Sequence, residues 1–136
     1  MADTDDAARR LLADARAVAH RSSALPTERA GAIAVTRDGS RFPGIAVSIR
    51  TSPGLSVCAE QVAISAARAA TTSPVRQIAL WVPAGAADHP CGRCLQVWQE
   101  LAPEAEFHLQ RGDEPPVRLD RQALLPDAFH EFRGTP

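Results

Sequence analysis

The sequence contains no lysine, no asparagine and no tyrosine, and only three cysteines among its 136 residues. Each shortage excludes something. Without lysine, all 15 basic side chains are arginines, and against 16 acids they leave a formal net charge of −1. That balance gives no polyanion-binding signature and argues against a polynucleotide partner. An odd number of cysteines argues against complete disulfide pairing, and in a reducing compartment such thiols serve as metal ligands or buried groups. Long hydrophobic runs are missing as well. The longest, such as GAIAV and IALWV, stop well short of the roughly 18 residues of a membrane span. The acidic start MADTDDAARR has neither the basic nor the apolar stretch of a secretory leader. The expected setting is the cytoplasm, with no membrane partner. A chain of this length is expected to form one domain over 1–136, with a helix and loop over 1–29 before a core over 30–130.

What is present is ordered by periodicity. Residues 5–20 set Leu11, Leu12, Ala15, Val18 and Ala19 at helical spacing behind acids in the first turn. Two short apolar runs around Asp38 and Gly39 predict a hairpin. The alanine-rich CAEQVAISAARAA predicts a mostly buried helix, and QIALWV is a β-branched and aromatic run too short for one, hence a central strand. CGRCLQVWQEL predicts a further helix, with Cys94, Val97, Trp98 and Leu101 on one side. AEFHLQ alternates as a fourth strand, VRL reads as a fifth, and RQALLP as a short last helix. The resulting order predicts a three-layer α/β domain in which two helices follow strands and open with cysteines. Trp81 and Trp98 are expected in the core, and His20, His108 and His130 at or near the surface.

The chemistry concentrates in two short segments, SVCAEQ and HPCGRC. Cys91 and Cys94, three apart at a helix start, can reach one ion, and the positive end of a helix favours the thiolate form that zinc binds. Cys58 opens the other helix and offers a third ligand. Three protein ligands leave a fourth tetrahedral position for water, the arrangement of a catalytic Zn2+ site. Glu60 would then stand beside that water without holding the metal. A closed structural site, with His89 as fourth ligand, is the competing arrangement for these residues.

The pairing of C-A-E with P-C-G-x-C-x-Q resembles the small cytidine deaminases, matched here by Cys58, Ala59, Glu60, Pro90, Cys91, Gly92, Cys94 and Gln96. Thr36, Asp38 and Gly39 before the first motif, and Leu124, Leu125, Pro126 and Phe129 near the end, extend the likeness over roughly residues 30–130. PCGRC with LLP is also similar to blasticidin-S deaminase, of the same fold. The resemblance implies an α/β/α domain around a central mixed sheet of about five strands. It implies hydrolytic deamination of a small molecule at Zn2+, with Glu60 shuttling protons. Backbone groups around Ala59 and Pro90 would orient the amidine edge. A homotetramer is implied too, with Phe129 either in the core or covering a substrate ring in a neighbouring subunit.

Three positions depart from that pattern. The family's ribose-binding Asn and Glu fall nearest Ala46 and Ser48, and the second strand holds no carboxylate. This favours a different sugar, a free base or another amidine-bearing compound, such as a nucleoside antibiotic. Gln61 stands where the family has an arginine that neutralises the thiolates, so the centre stays negative unless Arg93 or another cation compensates. Leu95 replaces a second arginine. Arg50 is the remaining candidate for an anionic substrate group. A zinc-containing scaffold that has lost turnover is the alternative from a different class.

Overall fold

The computed structural model describes residues 2–129, with side chains described from Asp5. His130 and the end of the expected core lie outside the described residues. Among the described residues four helices, α1 (Ala2–Ala19), α2 (Ala59–Ala70), α3 (Gly92–Leu101) and α4 (Arg121–Leu124), surround five strands: β1 (Gly31–Thr36), β2 (Arg41–Ile45), β3 (Val75–Val82), β4 (Glu106–Arg111) and β5 (Val117–Arg118). The strands form one mixed sheet in the order β2-β1-β3-β4-β5. Only β3 and β4 run parallel, and the parallel step needs a crossover, which α3 supplies. This is the three-layer α/β/α arrangement expected.

The layers follow from the two-residue period of the strands. Ala32, Ala34, Ile78, Leu80, Phe107 and Leu109 pack with α2 and α3, while Ile33, Ala79 and Trp81 face Leu12, Ala15 and Ala19 of α1. Both tryptophans are buried, and their Nε1 groups donate to main-chain carbonyls: Trp81 to Gly112 at 3.0 Å and Trp98 to Ala105 at 3.1 Å. Burying the indoles therefore leaves no donor unpaired. At the hairpin, Gly39 has φ 86°, and Asp38 Oδ1 accepts from the Thr36 hydroxyl at 2.6 Å and from the Ser40 N–H at 3.0 Å.

Boundaries differ from expectation: α1 begins at Ala2 rather than residue 5, and β3 at Val75 rather than Gln77. The last helix stops at Leu124 rather than at Pro126, because Leu125 precedes proline and leaves the helical region at φ −139°, ψ 67°. A short 3-10 turn, Pro53–Leu55, lies between β2 and α2. Among the described residues no helix is long and apolar enough to cross a membrane.

Helix α2 lies unusually close to β2. A Cβ placed on Gly44 would stand 2.2 Å from the Ala59 carbonyl oxygen and 2.5 Å from the Ala63 nitrogen, so backbone meets backbone there. Gly44→Ala is expected to destabilise the protein by about 1–3 kcal/mol. Gly54→Ala, which meets nothing within 4 Å, should stay within about 0.5 kcal/mol. Urea unfolding of the two variants side by side checks this.

Candidate active site

Cys58 and Cys91 occupy equivalent places, each as the extended residue just before a helix: Cys58 has φ −74°, ψ 151° ahead of α2, and Cys91 has φ −66°, ψ 162° ahead of α3. Neither position is held by a side-chain cap, so both sulfurs are available at the positive ends of the helices. Cys94, in the first turn of α3, is fully buried. The three Sγ atoms lie within 4.8 Å of one another, and Cys58 and Cys91 are 4.0 Å apart. Tetrahedral zinc–thiolate bonds of about 2.3 Å place their sulfurs about 3.8 Å apart. The donor set therefore fits zinc in both chemistry and spacing. His89 is not part of this cluster; its Nδ1 lies 2.8 Å from the Pro90 carbonyl oxygen.

The thiols and the neighbouring carboxyl interact strongly. Hydrogen bonding from the Cys94 thiol, assisted by Cys91 and by Arg93, lowers the Cys58 thiol to about 5 despite its partial burial. The same proton sharing, with burial and the Glu60 carboxylate, pushes Cys94 upward. Glu60 is only 4% exposed in the first turn of α2. Burial raises its carboxyl to about 7, with a further upward contribution from the Cys58 charge. Arg93 Nη2 donates to the Ser56 carbonyl at 2.9 Å, and its positive charge favours the ionised forms of both Cys58 and Glu60. It supplies the compensating cation that Gln61 does not. Gln61 instead has a buried Oε1 without a partner among the described residues, and Leu95 packs into the core.

Beside the cysteines is a cavity of about 200 Å3 lined by Cys58, Ala59, Glu60, Pro90 and Cys91, with Ala46, Leu80, Val82 and Leu109 among its apolar walls. Of the anticipated substrate contacts, Ala46, Ala59 and Pro90 reach it. Ser48 does not. It lies in an adjoining groove with Arg50, where its hydroxyl donates to Glu28 Oε2 at 3.2 Å. Phe129 is 59% exposed and does not line the cavity; its carbonyl accepts from Gln96 Nε2 at 2.7 Å, fastening the C-terminal segment to α3.

Glu28 lines the cavity as well, a carboxylate supplied from outside the second strand. The group arrives from the turn before β1. Nothing local in P-T-E-R marks it as functional, because its position is set by tertiary contacts.

Residues 5–107 match the family described as "Cytidine and deoxycytidylate deaminase zinc-binding region". Cytidine deaminase from Burkholderia pseudomallei is 35% identical with a TM-score of 0.79, the match covering 89% of this chain and 98% of that one. The Mycobacterium tuberculosis enzyme is 30% identical with a TM-score of 0.67, covering 90% and 96%. The Mycobacterium leprae cytidine deaminase is 27% identical with a TM-score of 0.66, covering 88% and 97%. The chain belongs to the cytidine and deoxycytidylate deaminase family.

Purified protein is expected to hold about one zinc per chain, bound through thiolates. Elemental analysis of wild type and Cys91→Ala is the check; undiminished zinc in the variant would exclude this ligand set.

Proposed function

We propose that the protein is a zinc-dependent hydrolytic deaminase of cytidine or a related amino-bearing ring compound. The observation that carries this reading is the buried Glu60 carboxyl, raised to about 7, in a small cavity with Cys58 and Cys91, whose sulfurs cluster with that of the buried Cys94. A carboxyl poised near neutrality can both accept and return a proton under one set of conditions. Cys58, Cys91 and Cys94 would hold zinc, which when bound supplies a Lewis acid that makes water a nucleophile at neutral pH.

The remaining work falls to the chain. Glu60 accepts a proton from the attacking water and delivers it to the ring nitrogen. It then takes the remaining proton from the new C–OH group, which becomes the carbonyl, and passes it to the exocyclic amine as the C–N bond breaks. One water is consumed, one ammonia leaves, and a carbonyl replaces the amine. Main-chain groups at Ala59 and Pro90 orient the amidine edge, while Leu80, Val82 and Leu109 provide apolar walls that exclude bulk water. Arg93 offsets the charge of the thiolates.

Glu60→Gln is expected to keep its zinc and to lose about 10²- to 10⁴-fold or more in turnover. Ammonia release from a panel of aminopyrimidines and aminopurines, measured beside metal content, tests both halves. Zinc-loaded wild type that releases no ammonia from any of them would leave a non-catalytic zinc scaffold instead.

The reading extends to a cytosolic homotetramer in which Phe129 covers a substrate ring of the adjacent subunit; its exposure within one chain supports this. Sedimentation at equilibrium is expected to return the tetramer mass, and a monomer at micromolar concentration would overturn the assembly.

A further inference from the structure

We propose that Glu28, held by Ser48, selects the substrate by accepting a hydrogen bond from a hydroxyl on a neutral, sugar-like substituent of the ring being deaminated. This rests on the deaminase reading above. Two hollows meet at this side chain: the cavity of about 200 Å3 beside the cysteines, and an open groove of about 880 Å3 whose lining includes Ser23, Arg29, Ser48, Arg50 and Ser56. Glu28 lines both. A ring seated against Glu60 therefore sends a substituent past Glu28 to enter the groove.

The turn that carries Glu28 is fixed at both ends. The buried Ser22 hydroxyl donates to the Ala46 carbonyl at 2.6 Å, and the Ala46 N–H donates to the Ala30 carbonyl at 3.0 Å. The N–H of Glu28 itself closes the turn on the Leu25 carbonyl at 2.7 Å. The Ser48 hydroxyl then occupies Oε2 at 3.2 Å, and among the described residues Oε1 is left to accept from a ligand. The side chain is exposed and open to a ligand entering from the groove.

The charges around it narrow the ligand class. An anionic substituent would meet the Glu28 carboxylate, and a cationic one would meet Arg29 and Arg50 across the same groove. A neutral group rich in hydroxyls conflicts with neither, and Ser23 and Ser56 offer it further partners. The apolar walls of the inner cavity suit the ring and the mixed polar groove suits the substituent.

The probes are cytidine and cytosine, which share a reacting ring and differ by the sugar. Zinc-loaded wild type is expected to favour cytidine. Glu28→Ala is expected to lower kcat/KM for cytidine by about 10- to 100-fold, chiefly through KM, while cytosine changes by less than about threefold. Glu28→Gln keeps an acceptor oxygen and is expected to lose less than Glu28→Ala. Equal losses on both probes would assign Glu28 a purely structural role, and an unchanged cytidine value would remove it from recognition; either overturns the proposal. If wild type deaminates neither probe, the deaminase reading fails for them, and calorimetric titration of the same probes decides the binding inference. Selective weakening of cytidine binding in Glu28→Ala upholds it, whereas equal affinity in the two proteins, or no cytidine binding by wild type, overturns it.

Discussion

Backbone-to-backbone contact between α2 and β2 determines where the reactive groups stand. Gly44 lets the Ala59 carbonyl approach to a distance that a Cβ would forbid, and Ala59, Ala63 and Ala67 keep the buried face of the helix small enough to follow. Cys58 and Glu60 flank Ala59, so the depth at which the helix seats also sets the depth of a sulfur and of the carboxyl. A bulkier interface would lift Glu60 toward solvent, and the burial that raises its pKa would weaken. The packing of the domain and the proton chemistry of the site thus rest on the same few small residues.

The second half of the site is positioned by topology. A parallel β3–β4 pair demands a crossover, and the start of the crossover helix α3 delivers Cys91 and Cys94 beside the start of α2. Two helix termini aimed at one point concentrate positive potential where thiolates must form. Arg93 adds a formal charge from the same turn, tied across to the Ser56 carbonyl.

Much of this was legible in the chain because the signals are local. Three-residue cysteine spacing, a C-A-E tripeptide at a helix start and the Asp38–Gly39 turn each lie within one element, and the short β-branched and aromatic run QIALWV marks a central strand. What the sequence hid was joined through space. Glu28 reaches the cavity by way of hydrogen bonds from Ser22 to Ala46 and from Ala46 to Ala30, and no periodicity encodes that meeting. The second strand carries no carboxylate, and the pocket takes one from another segment. The apolar run RQALLP favours a longer last helix, but Pro126 restricts Leu125 and the helix ends at Leu124.

The sheet order also governs the timing of assembly. Strand β1 pairs with β2 through a tight turn, yet its other edge pairs with β3, Gly31 opposite Trp81. While the chain emerges from a ribosome, the hairpin forms early and then waits for the whole of α2 to follow before its partner strand exists. During that interval the apolar GAIAVT edge is bare, an open template for the wrong neighbour. Helix α1, made first and packed on one face of β1 with Leu12 and Ala15, can shelter that face but not the edge. The vulnerable moment in the life of this protein therefore precedes the completion of β3, and a slow step in synthesis between α2 and β3 would lengthen it.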